Sequence, residues 1–195
     1  METFTTKTFN IPKLNGISER SIEEHLKLYK GYVTNSNLIF NKLSELKGDP
    51  EKNSILLAEL QRRFGFEFGG MRNHEYYFSS LSGGKKEISK DGNLYKKIMK
   101  DWGSFENFMA HFKFVATTRG VGWTMLYNDK LTDKLMITWI DEQHIGHLAG
   151  CQIILALDMW EHAYYLDYTP SEKKKYIEAF FENLNWEEVE KNLTK

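Results

Sequence analysis

Six histidines, His25, His74, His111, His144, His147 and His162, are the side chains of this 195-residue sequence best suited to hold a metal or move a proton near neutral pH. Three of them have distinctive surroundings. In Asp158-Met-Trp-Glu-His162-Ala-Tyr-Tyr165 a carboxylate and an imidazole stand four residues apart, so a helical turn or a strand-to-helix bend brings both to one point. Taken alone, such a pair is more often a surface Asp–His contact. Here the apolar run Cys151 to Leu157 and three aromatics beside the pair predict burial, where an unpaired charge is costly. His25 precedes Tyr29 by four residues and Tyr32 by seven, which places all three on one helical face, and His74 lies in the aromatic cluster Asn73 to Phe78. A lone histidine in either setting is commonly a satisfied core residue. Together, three histidines and one aspartate are a nitrogen-rich set with a single carboxylate, better matched to a redox-active first-row metal than to calcium or magnesium. Spacing alone does not join them, because they lie on separate segments.

The elements that must position these residues follow from period and punctuation. Residues 1–16 read as an extended leader ending in turn chemistry. A helix capped by Ser18 or Ser21 runs to about Leu46 and is stopped by Lys47-Gly-Asp-Pro50. A second helix spans about Asn53 to Phe64, and a further apolar segment runs from Gly69 to Leu81. After the break at Ser82-Gly83-Gly84, helices are predicted over Asn93–Met99 and Ser104–Thr118, the latter capped by Ser104. The period then changes: Trp123–Tyr127 and Leu135–Trp139 flank residues 128–133 as a hairpin, and Gln152–Leu157 supplies a third strand. A last helix covers Ser171–Asn185. The predicted class is α+β, with an N-terminal helical hairpin domain, 1–83, followed by a C-terminal domain, 84–195, of helices packed on a three-stranded antiparallel sheet.

Composition bounds the function. Lys and Arg number 26 against 27 Asp and Glu, a net charge of −1, which excludes a general nucleic-acid binder. Hydrophobic residues at 41 % and aromatics at 14 % exclude a disordered chain. The single cysteine, Cys151, makes no internal disulfide and is expected to be a buried structural thiol. No stretch has the length and apolarity of a signal peptide or a membrane span, so a cytoplasmic protein without a membrane partner is expected.

Asp158-Met-Trp-Glu-His-Ala-Tyr-Tyr165 strongly resembles the Asp-x-Trp-Glu-His-Ala-Tyr-Tyr signature of the iron/manganese superoxide dismutases. Further landmarks occur in family order: Ile22-Glu-Glu-His25 with Tyr32-Val-Thr-Asn35, Asn73-His74, Phe105-Glu-Asn-Phe108, Gly122-Trp123 and Asn185-Trp186-Glu187. The resemblance covers nearly the whole chain. It implies that His25, His74, Asp158 and His162 bind one manganese or iron ion per subunit, with solvent as a fifth ligand. The implied reaction converts two superoxide anions to dioxygen and hydrogen peroxide.

The resemblance also assigns the surrounding residues. A glutamine touches the bound solvent. Position 70, four before His74, is a glycine, so this role falls to Gln143, with His144 as the neighbouring alternative. Gly70 with a C-terminal glutamine resembles the manganese pattern, with use of either metal also in view. Tyr32 takes the gateway position, seven residues after His25 where the family usually has eight, and Tyr29 replaces the usual second histidine. Trp123 and Trp160 wall the pocket, and Glu161 and Tyr165 meet a partner subunit in a homodimer. His111 and His147 match no family role and are read as structural. Two other readings are a peroxidase using the same metal and a non-catalytic scaffold that kept the fold.

Overall fold

The computed structural model describes residues 4–194. Two 28-residue helices, α1 (Glu19–Leu46) and α2 (Ser54–Leu81), form an antiparallel hairpin, each about 42 Å long at 1.5 Å per residue. Ser18 caps α1, its hydroxyl accepting from the Ser21 amide. The leader runs beside the hairpin, and its first three residues lie outside the described range. Phe4 and Asn37 exchange two hydrogen bonds, the Lys7 amide donates to the Tyr29 hydroxyl, and Asn10 accepts from Gly83.

The second half begins with α3 (Asn93–Trp102) and α4 (Phe105–Ala116), then β1 (Gly122–Asp129), β2 (Lys134–Asp141) and β3 (Cys151–Asp158). All pairings are antiparallel, in the order β2-β1-β3, and the register sets Trp123 opposite Asp158. One-turn 3₁₀ segments at Glu161–Ala163 and Pro170–Glu172 lead to α5 (Lys173–Glu182) and α6 (Trp186–Lys191). Asn185 clasps the junction of the halves: its amide donates to Ser80, its side chain donates to Ser82, and its Oδ1 caps α6. One continuous apolar core, including Tyr29, Phe78, Trp123, Leu155, Tyr176 and Phe180, spans both halves.

Four details differ from the sequence reading. The second helix and the Gly69–Leu81 segment are one uninterrupted helix despite Gly65, Gly69 and Gly70. The hairpin strands are longer than predicted and leave only residues 130–133 as the loop. The last predicted helix is shorter, running from Lys173 to Glu182 with Asn183 as its C-cap, and a further helix, α6, which the sequence reading did not include, starts after Asn185 caps it. Cys151 is half-buried rather than buried, since it opens β3 at the sheet's end, opposite Asp129.

Candidate metal centre

Four elements each deliver one side chain to one point between the halves. His25 comes from the second turn of α1, His74 from α2, Asp158 from the last position of β3, and His162 from the 3₁₀ turn that follows it. Asp158 Oδ2 lies 3.0 Å from His25 Nε2, 3.2 Å from His162 Nε2 and 3.5 Å from His74 Nε2. Donors about 2.1 Å from a shared ion are separated by about 3.0 Å at a right angle, about 3.4 Å at the tetrahedral angle and about 3.6 Å at about 120°, so these separations suit a common metal. His25, His74 and Asp158 are essentially inaccessible, while His162 keeps some exposure.

Hydrogen bonding fixes which atoms are free to ligate. His74 Nδ1 sits 2.6 Å from the Gly70 carbonyl, which can only accept, so Nδ1 carries the proton and Nε2 carries the lone pair. That buried Nε2 has no hydrogen-bond partner among the described residues, a cost that a metal ion would remove. Burial, reinforced by His25, pushes the His74 pKa down to about 3, and burial also lowers that of His25, so both rings are neutral near pH 7. Burial alone would raise the Asp158 pKa, yet the adjacent His162 and His25 outweigh it and keep the carboxylate ionised. Three imidazoles and one carboxylate fit a first-row transition ion. Asp158 is held in turn by the Trp160 amide on Oδ1 and the Tyr176 hydroxyl on its carbonyl.

Around these four side chains stand the aromatics expected there. Trp123 meets His74 edge-on at 5.0 Å, Trp160 stacks on His162 at 5.6 Å, and the Tyr32 ring lies 5.1 Å from His74. Gln143 is fully buried: its Oε1 accepts from Trp123 Nε1 at 2.9 Å and its Nε2 donates to the Tyr32 hydroxyl at 3.0 Å. His144 turns the other way, edge-on to Phe66 and against Gly65. Gly70 leaves the room that Tyr32 fills, for a Cβ there would lie 2.5 Å from the Tyr32 ring. The α1 helix is regular between His25 and Tyr32, so the seven-residue spacing is met by ordinary α geometry.

Some expected residues are not brought to the cluster. The buried Tyr29 hydroxyl accepts from the Lys7 amide and donates to Glu75 Oε1, facing the leader rather than the ligands. Glu161 and Tyr165 are exposed on the surface of the single chain. Sequence reasoning missed Asn73, whose Nδ2 donates to the Gln143 carbonyl, and Glu142, a non-glycine residue at φ +52° that presents Gln143. It also missed Gly69, where a Cβ would overlap the Gln143 carbonyl. The Gly69-Gly70 pair was the available signal, because adjacent glycines inside a helix mark close approach by neighbours.

Comparison with known proteins gives a consistent picture. Residues 90–192 match the family model described as iron/manganese superoxide dismutases, C-terminal domain. The chain is 32 % identical to the superoxide dismutase [Fe] of Pyrobaculum aerophilum, over 98 % of this chain and 94 % of that protein. It is 33 % identical to the superoxide dismutase [Mn/Fe] of Aeropyrum pernix, over 96 % and 91 %. It is 35 % identical to the superoxide dismutase [Fe] of Aquifex aeolicus, over 93 % and 86 %.

Proposed function

Because the chain belongs to the iron/manganese superoxide dismutases, we propose that His25, His74, Asp158 and His162 hold its single iron or manganese ion and that Gln143, Tyr32, Trp123 and Trp160 form the working pocket. The reaction is 2 O₂•⁻ + 2 H⁺ → O₂ + H₂O₂. A bound iron or manganese ion would supply the one-electron redox chemistry that the reaction needs. The convergence of three imidazole Nε2 atoms on one buried carboxylate oxygen carries the ligand assignment.

The remaining work falls to side chains of the chain. Gln143 gives one N–H to Tyr32, and its second N–H is available to donate to solvent that a bound ion would hold. Tyr32 accepts from Gln143, which leaves its own O–H to give a proton to the incoming anion. Trp123 and Trp160 keep the pocket dry and narrow, so only a small anion enters. Lys27 and Arg72 are each paired, with Glu24 and Glu75, and contribute little steering charge.

Glu161 and Tyr165 are proposed as contacts to a second copy, in keeping with their exposure beside His162. No helix among the described residues is long and apolar enough to cross a membrane; a reducing, cytoplasmic setting is proposed on the lone Cys151. The division near Gly83 is supported by the C-terminal family match beginning at residue 90. The pairing of Gly70 with Gln143 favours manganese, whereas the names of the relatives favour iron.

Metal-free protein reconstituted separately with each ion, then assayed for metal content and superoxide dismutation, tests the reading. Activity is expected with at least one metal. Asp158→Ala is expected to lose the ion; one ion per chain retained by that variant would overturn the ligand assignment.

A further inference from the structure

Gln143 is held by more than its own side-chain bonds. Its carbonyl accepts from Asn73 Nδ2 at 3.0 Å on one side and from His147 Nε2 at 3.2 Å on the other. Because a carbonyl only accepts, Nε2 of His147 must carry the proton, and Nδ1 then carries the lone pair. Nδ1 lies 2.6 Å from the hydroxyl of buried Tyr127, which donates to it. The ring is thereby locked in one neutral tautomer by a residue of β1, and burial favours that neutral form. The preceding residue, Glu142, holds φ +52°, with its amide donating to Val121 and its carbonyl accepting from Trp160 Nε1. A left-handed non-glycine residue costs free energy and persists only where its surroundings over-determine it.

We propose that His147 is a positioning residue: with Nε2–H clamped on the Gln143 carbonyl, it fixes the peptide from which the Gln143 amide is aimed between Trp123 and Tyr32. The inference rests on the reading of Gln143 as the residue that addresses solvent at the metal. Displacing a site side chain by even a fraction of an ångström is costly, and the groups that orient such residues typically contribute 10–100-fold.

Two substitutions separate the clamp from simple packing. His147→Asn keeps an acceptor for Tyr127 but is too short to reach the Gln143 carbonyl. His147→Gln places an N–H near the former Nε2 position. In the full chain loaded with iron or manganese, His147→Asn is expected to lower kcat about tenfold and to move the metal's midpoint potential, and His147→Gln to recover kcat to within about twofold. The zinc-loaded, diamagnetic chain gives a readout without turnover: hydrogen exchange of the Trp123 indole N–H, bonded to Gln143 Oε1, should accelerate several-fold, up to about tenfold, in His147→Asn and return in His147→Gln. Wild-type potential and exchange in His147→Asn, or a glutamine variant no better than the asparagine one, would overturn the clamp. If His147→Asn does not fold, Tyr127→Phe replaces it, with faster Trp123 exchange expected and unchanged exchange overturning the proposal. Gln143→Ala separates the two ideas. If it leaves the potential at its wild-type value, the reading of Gln143 fails; if it shifts the potential while His147→Asn does not, the clamp alone fails.

Discussion

Gly70 is glycine because Tyr32 occupies the volume its side chain would need. Gly70→Ala should therefore cost about 1–3 kcal/mol through overpacking and push the tyrosine hydroxyl off Gln143. Chemical denaturation and the dismutation rate check this, and an unchanged rate would mean that Tyr32 yields without consequence. The proposed metal-holding residues were legible because their types are rare and their spacing specific: Asp158 and His162 announce each other four positions apart. Asn73 and His147 were not legible in that way. Both act on a backbone carbonyl, and a carbonyl leaves no trace in the residue pattern. Gln143 and His144 are adjacent in sequence, and only the path of the backbone through Glu142 decides which of them faces Trp123 and Tyr32.

Among the elements, α2 departs most from its sequence reading. Each interior glycine costs about 1 kcal/mol of helix propensity, which argues for a break, yet packing of α2 against α1 and β3 carries the helix through Gly65, Gly69 and Gly70. The glycines are not equivalent. At Gly65 a Cβ would make ordinary contact with His144, so Gly65→Ala should stabilise by up to about 1 kcal/mol. At Gly69 it would overlap the Gln143 carbonyl, so Gly69→Ala should destabilise despite its better propensity. Thermal melts of the two variants should move in opposite directions; movement the same way would mean that propensity or crowding governs both sites. The sheet was read more accurately, since alternation and turn residues fix strands locally. The short helix α6 was missed, because its six residues after Asn185 are too few to show a helical period.

For the whole molecule, one aromatic core spanning both halves makes folding and proton binding interdependent. Burial pushes the Tyr29 pKa up to about 12 and raises those of Tyr77, Tyr127 and Tyr176 above the usual value. The folded chain keeps these protons where the unfolded chain loses them, so stability present below about pH 10 declines as pH rises further. Ultraviolet titration should show these four tyrosines ionising in a steep step that coincides with unfolding. A smooth titration of all ten near pH 10 with the fold intact would contradict the burial. The same architecture has a consequence in time. His25 and Asp158 are 133 residues apart, so at a synthesis rate of roughly 5–20 residues per second the first ligand waits on the order of ten seconds for the carboxylate. A growing chain has only half a site to offer in that interval. Capture of the ion at the proposed site therefore follows translation of β3, and the metal acquired reflects the pool that the chain meets after that point.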